Sequence, residues 1–128
     1  MVYNVVMVSI DEMQDVLDEL AEELPTAFFR HLNGGILLLP EAKASDYSRS
    51  GDLWILGEYH RSYSMGSYIC IYYGSFEKLF SGLDYDGIVR ELRKTLRHEF
   101  RHHIEGLAGE DGLEQEDKKA IEKYLAGY

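Results

Sequence analysis

The sequence predicts an α+β domain in which a small mixed or antiparallel sheet packs against one long helix, with further helices towards the N- and C-terminal ends. Three observations carry this. Apolar residues recur at helical spacing over residues 10–24 and again over residues 84–104. Between them lie short runs rich in β-branched and aromatic side chains, residues 36–39, 53–59 and 67–73. The order helix, strands, helix, helix groups the strands instead of alternating them with helices, which is the α+β pattern. The 128 residues, 45% of them hydrophobic, fit one domain spanning 1–128 with a real core.

Residues 2–8 are rich in β-branched side chains and read as a short strand or an extended lead-in. Ser9-Ile10-Asp11-Glu12 is a capping box: the serine accepts from a first-turn N–H and the glutamate reaches back. Asp11 and Glu12 also suit the positive end of the helix dipole. Ile10, Met13, Leu17, Leu20, Ala21 and Leu24 form one apolar stripe, which ends near Pro25. Residues 26–32, with Phe28 and Phe29, read as a core-filling turn or short helix. Asn33-Gly34-Gly35 signals a turn. Residues 36–39 are continuously apolar and closed by Pro40, which reads as a buried strand. Residues 41–52 are polar and read as a loop.

Residues 53–59 and 67–73 are strands, and their short connection makes them antiparallel neighbours. Gly74-Ser75 ends the second strand, and Phe76, Leu79 and Phe80 suit a helical turn. The long helix runs over 84–104, capped by Asp84 or Asp86, until Gly106 and Gly109 break its pattern. Residues 113–125 give a last helix, with Leu113, Ile121, Tyr124 and Leu125 turned inward.

Charge and composition exclude several classes. The net charge of −10 argues against nucleic acid as a partner. No apolar run approaches a membrane span, and the N-terminus lacks the pattern of a signal peptide. Cys70 is the single cysteine, so neither an intrachain disulfide nor a cysteine-rich zinc finger is available, and the expected compartment is the cytoplasm. Residues 11–23 carry seven acidic side chains and no basic one, whereas Arg90, Arg93, Lys94, Arg97 and Arg101 make a basic stretch. Both read as solvated helix faces, the basic one able to pair with acidic helix surface elsewhere.

The chemistry is concentrated in His98-Glu99-Phe100-Arg101-His102. On a helix, positions i and i+4 share a face, so His98 and His102 aim both imidazoles at one point. Two convergent imidazoles suit zinc above all, with manganese, cobalt and nickel as alternatives. Glu99 is placed to take a proton from a metal-bound water and pass it to a leaving amine, as in H-E-x-x-H peptidases. The third ligand is sought after the helix, where glycines let the chain turn back: Glu110 first, then Asp111, then Glu114. His103 lies about 100° round the helix from His102 and suits a structural role. His31 and His60 are isolated and read as surface or hydrogen-bonded histidines. Cys70 reads as an inert core thiol. Tyr72 and Tyr73 read as packing residues at a strand end, with stabilisation of an oxyanion as the alternative.

These stretches also carry a family likeness. Glu23-Leu24-Pro25, Leu32-Asn33-Gly34-Gly35-Ile36, Leu56-Gly57-Glu58-Tyr59, Ile71-Tyr72-Tyr73-Gly74-Ser75-Phe76 and His98-Glu99-Phe100-Arg101-His102-His103 resemble the bacterial minimal zincins, small single-domain proteins with a metallopeptidase motif. The resemblance implies a minimal zincin-like α+β fold with a short sheet beside the active-site helix. Many members carry a glycine three residues after the second histidine and an aspartate three further on. Here Glu105 and Ala108 stand there, and Glu110 looks like the counterpart after a small insertion. The function expected is zinc-dependent hydrolysis of a peptide or amide bond with Glu99 as general base, by a monomer or weak oligomer acting on a peptide or protein. The alternative is a non-catalytic metal-binding or protein-interaction module, including one whose acidic first helix meets a basic partner.

Overall fold

Ser9 starts the first helix as its sequence dictates. Its Oγ accepts from the backbone N–H of Glu12 at 3.1 Å, and its own N–H donates to Glu12 Oε1 at 3.0 Å. Helix α1, Ile10–Glu22, buries Met13, Val16, Leu17 and Leu20 and turns its acidic residues outward. Ser9→Ala is expected to destabilise the fold by about 1 kcal/mol, read as a fall of a few degrees in the melting temperature. The computed structural model describes residues 7–47, 53–109 and 114–127. The lead-in expected over residues 2–8 lies mostly outside them, and Met7 and Val8 have no regular structure.

A 3-10 turn, Thr26–Phe29, drops Phe28 into the core. The strands that follow among the described residues are β1 (Gly35–Leu39), β2 (Lys43–Ala44), β3 (Trp54–Ile55), β4 (Gly57–Ser62) and β5 (Gly66–Tyr72). The main sheet has the order β1-β5-β4, with β1 parallel and β4 antiparallel to β5. The sheet is therefore mixed. The strand expected to be buried, β1, is half-buried at every position because it is an edge, and the apolar centre is β5, with Ile69 and Ile71 fully enclosed. The loop expected over 41–52 contains β2, which pairs antiparallel with β3.

Register decides which backbone groups face outward. Tyr72 N–H donates to Leu56 O at 2.9 Å, and Glu58 pairs with Cys70 two steps along. In an antiparallel ladder the bonded positions alternate, so Gly57, Tyr59 and Arg61 point their N–H and C=O away from β5. By the same alternation Ile55 faces β2, its partner being Lys43. The outer edge is thus covered at Ile55 and, among the described residues, carries no strand from Gly57 onward.

Gly74 and Ser75 do not simply stop β5. They open helix α2, Tyr73–Phe80. A Cβ on Gly74 would lie 2.6 Å from the carbonyl carbon of Glu41, so only glycine lets this helix start against the chain that leaves β1. Ser75 Oγ accepts from Lys43 N–H at 2.9 Å, which anchors β2 there.

Helix α3, Tyr85–Ala108, is capped by Asp84, whose Oδ1 accepts from Gly87 N–H at 2.8 Å. Ile88, Leu92, Leu96, Phe100, His103, Ile104 and Leu107 are buried at three- and four-residue intervals. The helix passes through Gly106, which was expected to break it, and gives way at Gly109. The basic stretch finds its acidic partner: Glu23 accepts from Arg93 at 2.9 and 3.1 Å, with Arg97 at 3.5 Å. Helix α4, Gln115–Gly127, buries Ile121 and Tyr124, whereas Leu113 lies outside the described residues. Tyr124 sets its ring edge against Phe28 at 4.7 Å and donates its hydroxyl to Arg97 O. No helix of the described residues is long and apolar enough to cross a membrane.

Candidate functional site

One side of α3 is buried, and the side beside it faces a cleft. His98 and His102 are exposed, whereas Glu99, one step round the helix, is buried. The two imidazole centres are 5.0 Å apart with the rings at 88°. Zinc–nitrogen bonds of about 2.0 Å at a tetrahedral angle, with each ring centre about 1.1 Å beyond its nitrogen, place two ring centres about 5 Å apart. The pair therefore has the separation that shared ligation needs.

The opposite wall of the cleft is the strand edge. Ile55, Gly57, Glu58 and Tyr59 line it across from His98, Glu99 and His102. The cleft continues towards the start of α3, between Trp54 and Leu56 on one side and Glu91, Lys94 and Thr95 on the other. Gly57 sets its width. A Cβ there would meet Thr95 Cγ2 at 3.0 Å and Glu99 Cγ at 3.2 Å, so its absence lets the strand lie directly on the helix beside Glu99. Burial pushes the Glu99 carboxyl above its ordinary pKa. Charge on His98 or His102 opposes that shift, and the Glu58 carboxylate adds to it. A carboxylate made more basic beside two histidines spaced to share a metal is suited to accepting a proton.

His103 is a structural residue, as its place on the helix predicts. It is almost fully buried, with Nε2 2.7 Å from Arg30 O and Nδ1 2.8 Å from Tyr59 OH. A carbonyl only accepts, so Nε2 carries a hydrogen and donates to it. The ring thus ties α3 to β4 and to the turn after Phe29. The hydroxyls of Tyr72 and Tyr73 are also engaged, donating to Glu58 Oε1 and Val8 O. This matches the packing reading of both tyrosines. Cys70 is buried, and burial pushes its thiol up, as an inert core cysteine requires.

His60 is not isolated. It stacks on Tyr68 with ring centres 5.0 Å apart, and its Nε2 lies 3.3 Å from Glu58 Oε1. Sequence reasoning missed Glu58. The available signal was a single carboxylate inside the otherwise apolar and aromatic run over residues 53–59.

Of the three residues offered as third ligand, Glu110 and Asp111 lie outside the described residues. Glu114 is exposed just ahead of α4, where its carbonyl accepts from Lys118 N–H. Among the described residues no three His, Cys, Asp or Glu side chains converge as a metal site. The donor types of His98 and His102 fit zinc.

The chain matches no family model and no curated protein. Among solved structures it is similar to a conserved hypothetical protein, TTHA0227, of Thermus thermophilus. The likeness has a TM-score of 0.63 at 34% sequence identity and covers 80% of this chain and 100% of that one. With that identity over the whole length of the relative, the chain belongs to the same family as this Thermus thermophilus protein.

Proposed function

We propose that the protein is a zinc-dependent peptidase of the minimal zincin kind, acting in the cytoplasm on a peptide or protein. The observation that carries this is the pairing of His98 and His102 at 5.0 Å with a buried Glu99 between them in sequence, all opening on one cleft. His98 and His102 would hold the ion, with Glu110 as the third ligand. When bound, zinc supplies a water ionised near neutral pH and an electrophile for the scissile carbonyl. Glu99 accepts the proton and returns it to the leaving amine, a task to which its raised pKa is suited. The uncovered edge at Gly57 and Tyr59 supports a peptide substrate, because an extended chain can hydrogen-bond to outward N–H and C=O groups. His103 and Tyr59 hold that edge at a fixed distance from α3.

Metal content tests the reading directly. Protein purified without added metal, then supplied with zinc and desalted, is expected to hold about one zinc per chain by mass spectrometry, consistent with one three-ligand site. His98→Ala is expected to hold almost none. Glu110→Ala is expected to weaken binding by more than Asp111→Ala or Glu114→Ala. A parent protein that retains no zinc sinks the proposal.

A further inference from the structure

Glu58 lies on the strand that walls the cleft of His98, Glu99 and His102, and its side chain leaves the sheet on the face away from α3, because its neighbours Gly57 and Tyr59 face the helix. Three groups gather on one of its oxygens. Lys43 Nζ and Tyr72 OH each lie 2.6 Å from Oε1, and His60 Nε2 lies 3.3 Å from it. Tyr72 is only 5% exposed, and its one hydroxyl proton is used to hold this carboxylate. Burial pushes the Glu58 pKa up, but the hydrogen bonds from Lys43 and Tyr72 and the lysine's charge outweigh it, and the carboxyl stays below its ordinary value. The strand edge therefore carries an ionised carboxylate held in place by Lys43 and Tyr72.

Lys43 reaches that charge from β2 and does not line the cleft. The lysine side chain is 42% exposed and the carboxylate 23%, so water reaches the pair and another cation can compete for the ammonium's place. The strand edge brings a substrate to this spot. A peptide laid along Gly57 and Tyr59 runs into β2, which already occupies the same edge at Ile55, so the nearer end of the peptide falls beside Glu58. The net charge of −10 favours the approach of cationic peptides.

We infer that Glu58 is a specificity-determining residue whose carboxylate takes a cationic group of the peptide, an α-ammonium or a Lys or Arg side chain, in exchange for Lys43. The inference rests on reading the cleft as a peptide site. It concerns what the cleft prefers, and zinc content tests the hydrolytic reading separately.

The test is retention of peptides. Immobilised Glu99→Gln protein, with zinc added, is offered a mixture of randomised eight-residue peptides at pH 8, with α-amino groups free or acetylated. Peptides bearing Lys or Arg at one position, or a free α-amine, are expected to be enriched about tenfold, the size of effect one good charge contact gives. The comparison of acetylated with free peptides identifies which cation is read. Glu58→Gln in the same background is expected to abolish the enrichment while retaining neutral peptides. Lys43→Met removes the competing ammonium and is expected to increase the enrichment, which a purely structural ion pair between β2 and β4 would not do. Absence of cationic enrichment, its survival in Glu58→Gln, a decrease in Lys43→Met, or failure to retain any peptide overturns the inference.

Discussion

If the protein is the proposed zinc peptidase, Glu99→Gln is expected to lower peptide hydrolysis by about 10²–10⁴-fold while zinc stays bound at the parent level, because in that reading it removes the general base and no metal ligand. Cleavage rates on a peptide library, with metal content measured on the same samples, give the result. Equal cleavage by the two proteins would assign the activity to a contaminant. The metal-free proteins should differ in the opposite sense. Burial raises the pKa of Glu99 in the fold above its value in the unfolded chain. Between those two values the folded state binds more protons, so stability falls as pH rises through that window. Glutamine carries no charge to desolvate. In the presence of a chelator, Glu99→Gln should therefore melt above the parent at pH 7, and the difference should vanish below about pH 4, where both side chains are neutral. A variant that is less active yet more stable when apo is hard to produce by damaging the fold.

The histidine pair was legible because helical geometry alone fixes positions i and i+4. Nothing distant has to be known to place His98 beside His102, and the rings stand 5.0 Å apart on the shared face. The features that were not legible all depend on contacts between residues far apart in sequence. The run over residues 36–39 has the same apolar pattern whether the strand is central or an edge, and its parallel pairing with β5 joins Gly35 to Tyr68. Gly74-Ser75 reads locally as a stop, but the glycine is needed for the approach of the chain around Glu41. Glu58 meets Lys43 and Tyr72 from positions 15 and 14 residues away, each on a different strand. Its carboxylate is fixed in place only once β2, β4 and β5 are assembled. Val16 is buried with Met13, Leu17 and Leu20 and widens the α1 stripe beyond its expected residues.

Phe100→Ala is expected to destabilise the fold by about 3–5 kcal/mol, the usual loss for emptying a large aromatic site in a core. Phe100 is fully buried in the middle of α3, with its ring edge-on to Phe29 at 5.1 Å. It sits between the two histidines in sequence but on the opposite side of the helix, facing the core while they face the cleft. Urea unfolding with and without zinc separates the two faces. Zinc at a hundred times its dissociation constant stabilises a protein that binds it only when folded by about 2.7 kcal/mol. If the helix alone sets the histidine pair, Phe100→Ala should gain as much from zinc at that saturation as the parent does. His98→Ala should lose little stability when metal-free, because His98 is exposed, and should gain almost nothing from zinc. If Phe100→Ala also gains nothing while remaining folded, the metal face depends on core packing and not on helical spacing alone.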